Sequence, residues 1–385
     1  MTVQTITSTA ELRSICDELK GHDYITVDTE FMRTTTFFAQ LCLVQIASEN
    51  NSWIIDPLAN GIDLTPLYGL MDGGPIKVFH AARQDLEIFY QAMGKVPHPI
   101  FDSQVAAMVC GYGDSVGYET LVKSIARQQL DKSVRFTDWS QRPLSERQLS
   151  YAMSDVTHLR VIYKALMAKL EKSGRTHWLR EEFDILTSAE TYRMAPEDAW
   201  KRVKCKSSNR RFLAHVRALA ALREELAQSR DVPRNRVMRD DTLLAIAAHP
   251  PQGKKDLQKI KGLAKRFSEG SDMQTLLERV QQVRDMTEND LPPASTSKPI
   301  NREKAGPALD LLKVLLKMRC VETGVASKLV ASARELEEFA SGERGLHFLE
   351  GWRREVFGED ALRLVAGELA MQVVGKDIRL SEVKS

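Results

Sequence analysis

Three β-rich runs crowd the stretch from Tyr24 to Asp56, and they constrain the fold more than any other feature of the chain. Tyr24 to Glu30 reads as a strand. Leu41 to Ala47 and Ser52 to Asp56 read as two more, parted by the turn signal Glu49-Asn50-Asn51. Short links between consecutive strands predict an antiparallel meander. The pattern then changes. Ile76 to His80 reads as a short buried strand ahead of a helix, Gln84 to Met93, that Gly94 stops. Pro99 to Asp102 is a further strand, followed by a helix from Ser103 to Cys110, and Tyr118 to Gln129 and Ser145 to Leu170 read as helices. A meander followed by β–α alternation predicts a mixed sheet flanked by helices. The pattern fades near residue 190, which gives a three-layer α/β domain over residues 1–195.

Beyond Ala195 every periodic segment is helical. Phe212 to Gln228 is amphipathic, and Asp231-Val232-Pro233 breaks it. Asp240 or Asp241 caps a helix from Thr242 to Ala248, and His249-Pro250-Pro251 ends it. Residues 205–290 therefore read as an all-α domain. Asp290 to Pro307, with Pro292, Pro293, Ser295, Ser297 and Pro299, has the composition of a linker. A second all-α domain occupies residues 305–380, with helix expected to about Ile378. Val232, Val237, Leu243 and Ala247 recur as Val325, Val330, Leu336 and Ala340, each 93 positions later. The shared offset favours an internal duplication over coincidence between two helical stretches.

The 385 residues suit two or three domains. No apolar run approaches about 18 residues, so no membrane helix is expected. Met1 to Leu19 lacks the apolar centre of a secretory signal. Cysteines 16, 42, 110, 205 and 320 are scattered, with no Cys-x-x-Cys pair. That pattern predicts a reduced, cytoplasmic setting and argues against a zinc site or a disulfide framework. The net charge of +2 is unevenly spread, with 20 Lys and Arg against 12 Asp and Glu between Lys201 and Asp290. An acidic part joined to a basic part suits an enzyme acting on a polyanion; a solvated helical surface explains the basic part equally well.

The acidic part holds a distinctive set. Asp28 and Glu30, in Val27-Asp28-Thr29-Glu30-Phe31, share one face of a strand end. Tyr151 and Asp155 share one face of a helix. Asp85 opens a helix just after a strand. Carboxylate oxygens are what Mg²⁺ or Mn²⁺ prefers, and Mg²⁺ takes only one or two of them alongside phosphate oxygens. Four carboxylates can therefore serve two such ions, and two ions can hydrolyse a phosphodiester. Taken singly, an Asp-x-Glu pair or a Tyr-x-x-x-Asp pair is a common solvated feature. Their order and their elements make the combination specific.

In that order the chain resembles the DEDD-type 3′→5′ exonucleases, which have a ribonuclease H-like fold. Asp28 and Glu30 match the first motif, Asp85 the second and Asp155 the third, and Tyr151 marks the tyrosine version of the last. Asp28-Thr-Glu-Phe-Met-Arg-Thr, Phe101-Asp102-Ser-Gln104 and Asp138-Trp-Ser-Gln-Arg142-Pro143-Leu144-Ser tighten the resemblance to the ribonuclease D family. Arg223-Glu-Glu-Leu-Ala and Asp231-Val-Pro-Arg-Asn-Arg-Val-Met-Arg-Asp240 are similar to the HRDC domain. The resemblance covers nearly the whole chain, more weakly past Ala308. It implies an α/β ribonuclease H-like exonuclease domain followed by two all-α HRDC-type domains, the second divergent. It also implies that Asp28, Glu30 and Asp155 hold one divalent ion, that Asp28 bridges to a second, and that Asp85 reaches the second through water. Tyr151 would orient the attacking water, and nucleoside 5′-monophosphates would leave one at a time.

Interactions with the 3′ end are expected nearby. Phe31 and Met32 can pack on the terminal nucleotide or in the core. His80 reads first as a core histidine and second as a substrate-binding residue. Asp102 and Gln104 are substrate-side residues or a helix cap. Arg142 can pair with a phosphate, while Trp139 reads as packing. Lys254, Lys255 and Lys259, with Lys261, Lys265 and Arg266, form the densest basic cluster and would hold the RNA body. The leading expectation is a monomeric cytoplasmic exoribonuclease acting on RNA with a free 3′ end, transfer RNA precursors above all. The alternatives are a 3′→5′ DNA exonuclease and a non-catalytic RNA-binding protein on a nuclease fold.

Overall fold

The computed structural model describes residues 4–131, 133–134, 137–293 and 302–383. The chain divides into two compact units. One comprises Met1–Glu30, Cys42–Thr191 and Pro299–Ser385; the other comprises Phe31–Leu41 and Tyr192–Lys298.

The first unit is built on a six-stranded sheet. In chain order its elements are β1 (Gln4–Ile6), α1 (Thr9–Leu19), β2 (Tyr24–Met32), β3 (Gln40–Ala47), β4 (Ser52–Ile55), α2 (Thr65–Met71), β5 (Asp72–Phe79), α3 (Arg83–Met93), β6 (His98–Asp102), α4 (Ser103–Val109), α5 (Tyr118–Leu121), α6 (Glu146–Ser173) and α7 (Arg180–Thr187). The strand order is β1-β4-β3-β2-β5-β6. β3 and β4 are antiparallel, whereas β1 with β4, β2 with β5 and β5 with β6 are parallel, so the sheet is mixed as expected. β3 is buried almost along its length because both of its faces are covered, which explains why Leu41 to Ala47 is apolar except for Gln45. β1 was not anticipated from the sequence: three residues are too few to show a period. Nor were α1, which buries Leu12, Ile15, Cys16 and Leu19, and α2.

The long helix α6 opens with a capping box, Ser145 and Gln148 each bonding the other's backbone N–H, and ends at Gly174 with φ 68°. It buries Ala152, Asp155, Val156, Leu159 and Ile162. The Thr26 hydroxyl of β2 donates to the Val156 carbonyl at 2.9 Å and so fixes the helix along the central strand.

The C-terminal segment shares this unit's core. Leu312, Leu315, Val325, Leu336, Phe348 and Trp352 lie in one buried cluster with Val78, Phe101, Leu159, Ile162 and Trp178. The Trp178 and Trp352 rings stack at 4.4 Å, 8° from parallel. Arg353, 1% exposed, donates to Glu181 and Glu182 and through Nε to the Leu329 carbonyl at 2.6 Å. The sequence pattern separates 1–195 from 305–380 as two domains, but residues 1–30 and 42–191 join 299–385 in one compact unit, because a buried apolar face of each is covered by the other.

The second unit contains α8 (Arg210–Ser229), α9 (Arg234–Val237), α10 (Asp240–Ala248), α11 (Lys254–Leu257), α12 (Lys265–Ser268) and α13 (Asp272–Asp285). The Asn209 side chain caps α8 by accepting the Phe212 N–H. Neither Asp240 nor Asp241 caps α10. Both lie in its first turn, after Arg239, and Asp240 instead pairs with Arg223 at 2.5 Å. Glu224, 1% exposed, is held by the Arg234 fork at 2.5 Å. The connection after β2 belongs to this core. Phe37 is buried in it, the Asp231 carboxylate accepts the N–H groups of Phe37 and Phe38 at 2.9 Å each, and the Arg234 guanidinium lies over the Phe37 ring. Of the expected linker, residues 294–301 lie outside the described residues. Leu291 is not linker-like: it is buried against Ala214 and Val283.

The C-terminal helices are α14 (Arg302–Thr323, kinked at Gly306), α15 (Ser327–Val330), α16 (Ala333–Ala340), α17 (Gly351–Arg353) and α18 (Glu359–Val365). The bounds of α9 plus 93 are those of α15, and α10 and α16 start at the same offset. Asp231 and Gly324, also 93 apart, both have positive φ, 48° and 68°. Helix was expected to about Ile378, but Leu369–Val374 and Asp377–Glu382 form an antiparallel hairpin, β7 and β8. Val373 and Val374 favour extended backbone, and Gly375, φ 66°, makes a two-residue turn with Lys376.

Candidate active site

Asp28 and Glu30 stand two apart on β2, and Asp155 faces them from α6. Ligand oxygens of all three lie within 4.8 Å of one another. Three details bring α6 to that position. Thr26 bonds the carbonyl of Val156, the residue after Asp155. The Tyr118 hydroxyl bonds the Asp155 carbonyl at 2.6 Å and lies 3.1 Å from that of Ser154. The capping box fixes the start of the helix. Tyr118 does not stand out in the sequence, and only its bulk beside a helix start would have signalled it.

Asp85 sits in the first turn of α3 and is turned toward β2, where its carboxylate accepts the Thr29 hydroxyl at 2.5 Å. The strand-to-helix link before it is unusual: Ala81 has φ 57°, a left-handed conformation that costs a side-chain-bearing residue free energy. Asp102 stabilises that turn. Its carboxylate accepts the N–H groups of Ala81 at 3.0 Å and Ala82 at 2.9 Å, and caps α4 through the Gln104 N–H at 2.8 Å.

The electrostatics call for a positive charge. Burial, then Asp155, Asp85 and Glu30, hold the Asp28 carboxyl well above the ordinary carboxylate range. Burial pushes Asp85 up to about 7, against the opposing pull of Thr29. Burial likewise raises Asp102. Burial, with Asp155 and Asp28 nearby, raises Tyr118 well above a free phenol. Buried like charges of this kind are costly unless a cation is bound among them. Hard carboxylate oxygens converging from a strand and a helix fit Mg²⁺ or Mn²⁺.

Tyr151 is half-buried one turn before Asp155, and its ring lies 6.1 Å from that of Trp139. The residues expected to bind substrate fare differently. Phe31 and Met32 are half-buried at the end of β2. His80 is engaged within the protein: Nδ1 meets the Ser103 hydroxyl at 2.9 Å, the ring lies 5.4 Å from Tyr118, and burial lowers it to about 4, so it is uncharged at neutral pH. The Gln104 side chain donates to the Val116 carbonyl. Arg142 is not free for a phosphate. Its five N–H groups go to Asp56 Oδ2 and Oδ1 and to the carbonyls of Cys42, Trp139 and Gln141, all at 2.6–2.8 Å. Lys254, Lys255 and Lys259 are exposed around α11 in the second unit.

The family profile described as "3'-5' exonuclease" matches residues 3–171, and that described as "HRDC domain" matches residues 212–280. The chain is 49% identical to a ribonuclease D of Jannaschia sp. (strain CCS1), over 98% of this chain and 99% of that protein. It is 44% identical to a ribonuclease D of Granulibacter bethesdensis, over 97% and 95%. Among solved structures it is similar to Escherichia coli RNase D, described as an exoribonuclease involved in structured RNA processing, with a TM-score of 0.80 and 31% identity over 95% of this chain and 99% of that one.

Proposed function

The chain belongs to the ribonuclease D family and is a 3′→5′ exoribonuclease; on that premise we propose that it trims the 3′ ends of structured RNAs, transfer RNA precursors foremost, with two divalent cations at the acidic cluster. The convergence of Asp28, Glu30 and Asp155, with Tyr151 one helical turn away, carries this reading.

Asp28, Glu30 and Asp155 would hold one cation, Asp28 would be shared with the other, and Asp85 would reach the second through water. When bound, such a pair supplies Lewis-acid stabilisation of the attacking and leaving oxygens. Tyr151 orients the attacking water through its hydroxyl, a positioning role for which a neutral phenol suffices. Phe31 and Met32 pack against the terminal nucleotide. Successive attack at the last phosphodiester releases nucleoside 5′-monophosphates.

The exposed lysines Lys254, Lys255 and Lys259 of the HRDC-matching unit grip the phosphate backbone of the RNA body. Residues 305–380 are a second, divergent HRDC-type repeat, supported by the common offset of α9 with α15 and of α10 with α16. The protein works as a monomer in the cytoplasm. All five cysteines are free thiols, as a reducing compartment maintains, and no helix is long and apolar enough to cross a membrane among the described residues.

The test is a time course on a 3′-extended transfer RNA precursor and a matched single-stranded DNA, each labelled at the 5′ end, with Mg²⁺, with Mn²⁺ and with EDTA. The expected result is a metal-dependent ladder shrinking from the RNA 3′ end with DNA spared. Equal degradation of DNA would overturn the RNA assignment, and shortening undiminished in EDTA would overturn the metal assignment.

A further inference from the structure

Arg142 gathers three separate pieces of the first unit. Its fork is bidentate on Asp56, just past the end of β4, at 2.6 Å for both bonds. The same guanidinium donates at 2.7 Å to the carbonyl of Cys42 in β3. Its remaining donors hold the Trp139 and Gln141 carbonyls at 2.8 Å, in the loop that leads into α6. Asp56 is 7% exposed, so this is a shielded, charge-assisted pair rather than a loose surface bridge.

The Trp139 side chain is 2% exposed, and its indole Nε1 has no acceptor among the described residues. No side-chain hydrogen bond therefore sets the ring. Its place follows from packing and from its backbone carbonyl, which Arg142 holds. That ring lies 6.1 Å from Tyr151, tilted by 35°. We infer that Arg142 is a positioning residue: clamped on Asp56, it fixes Trp139, and Trp139 in turn fixes the Tyr151 ring that aims the attacking water.

This inference rests on the role proposed above for Tyr151. A guanidinium is required because five fixed donors meet five acceptors; the three donors of a lysine cannot reach them all. All five donors of the clamp are taken by acceptors of the protein itself, so its loss should slow the chemical step without weakening RNA binding.

The experiment compares Arg142→Lys, Tyr151→Phe and the double variant on one RNA substrate at saturating metal. Arg142→Lys should lower kcat roughly 10- to 100-fold with KM unchanged, the scale on which a small misplacement of a reacting group acts. In the Tyr151→Phe background the same change should cost less than about twofold, because the group it positions is already gone. Trp139→Phe, which leaves the Arg142 bonds to backbone intact, provides a second route should Arg142→Lys fold poorly. It should lower kcat in the wild-type background and cost little in Tyr151→Phe. Guanidinium ion added to Arg142→Ala should restore part of the lost kcat. Full multiplication of the two losses in the double variant, or a raised KM with unchanged kcat, would overturn the clamp; the second outcome would return Arg142 to phosphate binding. An unimpaired Tyr151→Phe would instead refute the role of Tyr151, a separate failure.

Discussion

Thr29 donates its hydroxyl to Asp85 at 2.5 Å, tying the residue between two proposed metal ligands to a third acid on another element. The bond favours the ionised form of a carboxyl that burial holds at about 7 even with this donor in place. Thr29→Val removes the donor while keeping the shape. A hydrogen bond to a charged group is worth about 1.5–3 kcal/mol, so the Mg²⁺ concentration for half-maximal activity should rise roughly tenfold or more. Activity at saturating Mg²⁺ should recover most of its wild-type value. Metal titration of the initial rate checks this, and an unchanged midpoint refutes it.

Asp28→Asn should abolish hydrolysis while leaving RNA binding largely intact. It retains the shape of a residue whose charge is opposed by three neighbouring acids and removes a ligand common to both proposed cation sites. Filter binding of a labelled precursor beside a turnover assay separates the two effects. Persistent degradation would place the catalytic centre elsewhere.

Trp352→Ala should destabilise the first unit by about 3–5 kcal/mol, the cost of emptying a buried aromatic site. Its partner in the stack is Trp178, in one buried cluster with Phe101, Leu159 and Ile162 of the residues that the exonuclease profile matches. Nuclease activity should therefore be lost at a lower temperature in this variant, as followed by activity remaining after heating. A wild-type inactivation profile would show that the C-terminal segment adds nothing to nuclease stability.

His215 of α8 is 2% exposed, and burial, then Arg284 and Arg211, push its imidazole down to about 4 from an ordinary 6.5. The unfolded chain thus binds a proton before the folded one does. The stability at stake is complete above pH 6.5 and is lost progressively as pH falls toward about 4. Between pH 7 and pH 5 the loss should be about 2 kcal/mol from this group alone. His215→Leu should flatten that part of the dependence in urea unfolding monitored on the second unit. An identical pH dependence in the variant would contradict the assignment.

Replacing Lys254, Lys255 and Lys259 together by Ala should weaken binding of long RNA and flatten its salt dependence, by roughly 0.9 in the log–log slope for each phosphate no longer engaged. Cleavage of a dinucleotide should be unaffected. An unchanged slope would mean that these exposed lysines are only a solvated face.

The acids were legible because chemistry fixes both their type and their spacing on elements of known period. Asp28 and Glu30 needed only the strand repeat, and Tyr151 and Asp155 only the helical one. Arg142 is opaque for the opposite reason. Its partners Asp56 and Cys42 lie 86 and 100 residues earlier, and nothing local announces them. Asp102 was legible as a cap but not as the acceptor that steadies Ala81. The terminal hairpin escapes a sequence reading because an apolar run after a helix continues the pattern until Gly375 turns the chain, a backbone event that periodicity does not register. The shared core of Trp178 and Trp352 joins segments too distant for any sequence window to connect.

The chain changes unit after residues 30, 41, 191 and 298, the first time within β2 and directly after Glu30. Neither body is therefore a portable cassette. A fragment begun at residue 205 would lack Phe37, Ala199 and Val203 and be left with a hollow where they sit. Conversely, a lineage that exchanged the helical unit for another would also have to rewrite residues 31–41 of the nuclease. Inheritance should thus treat the two as a single piece, and recombinant chimeras should fail unless that loop travels with its helices.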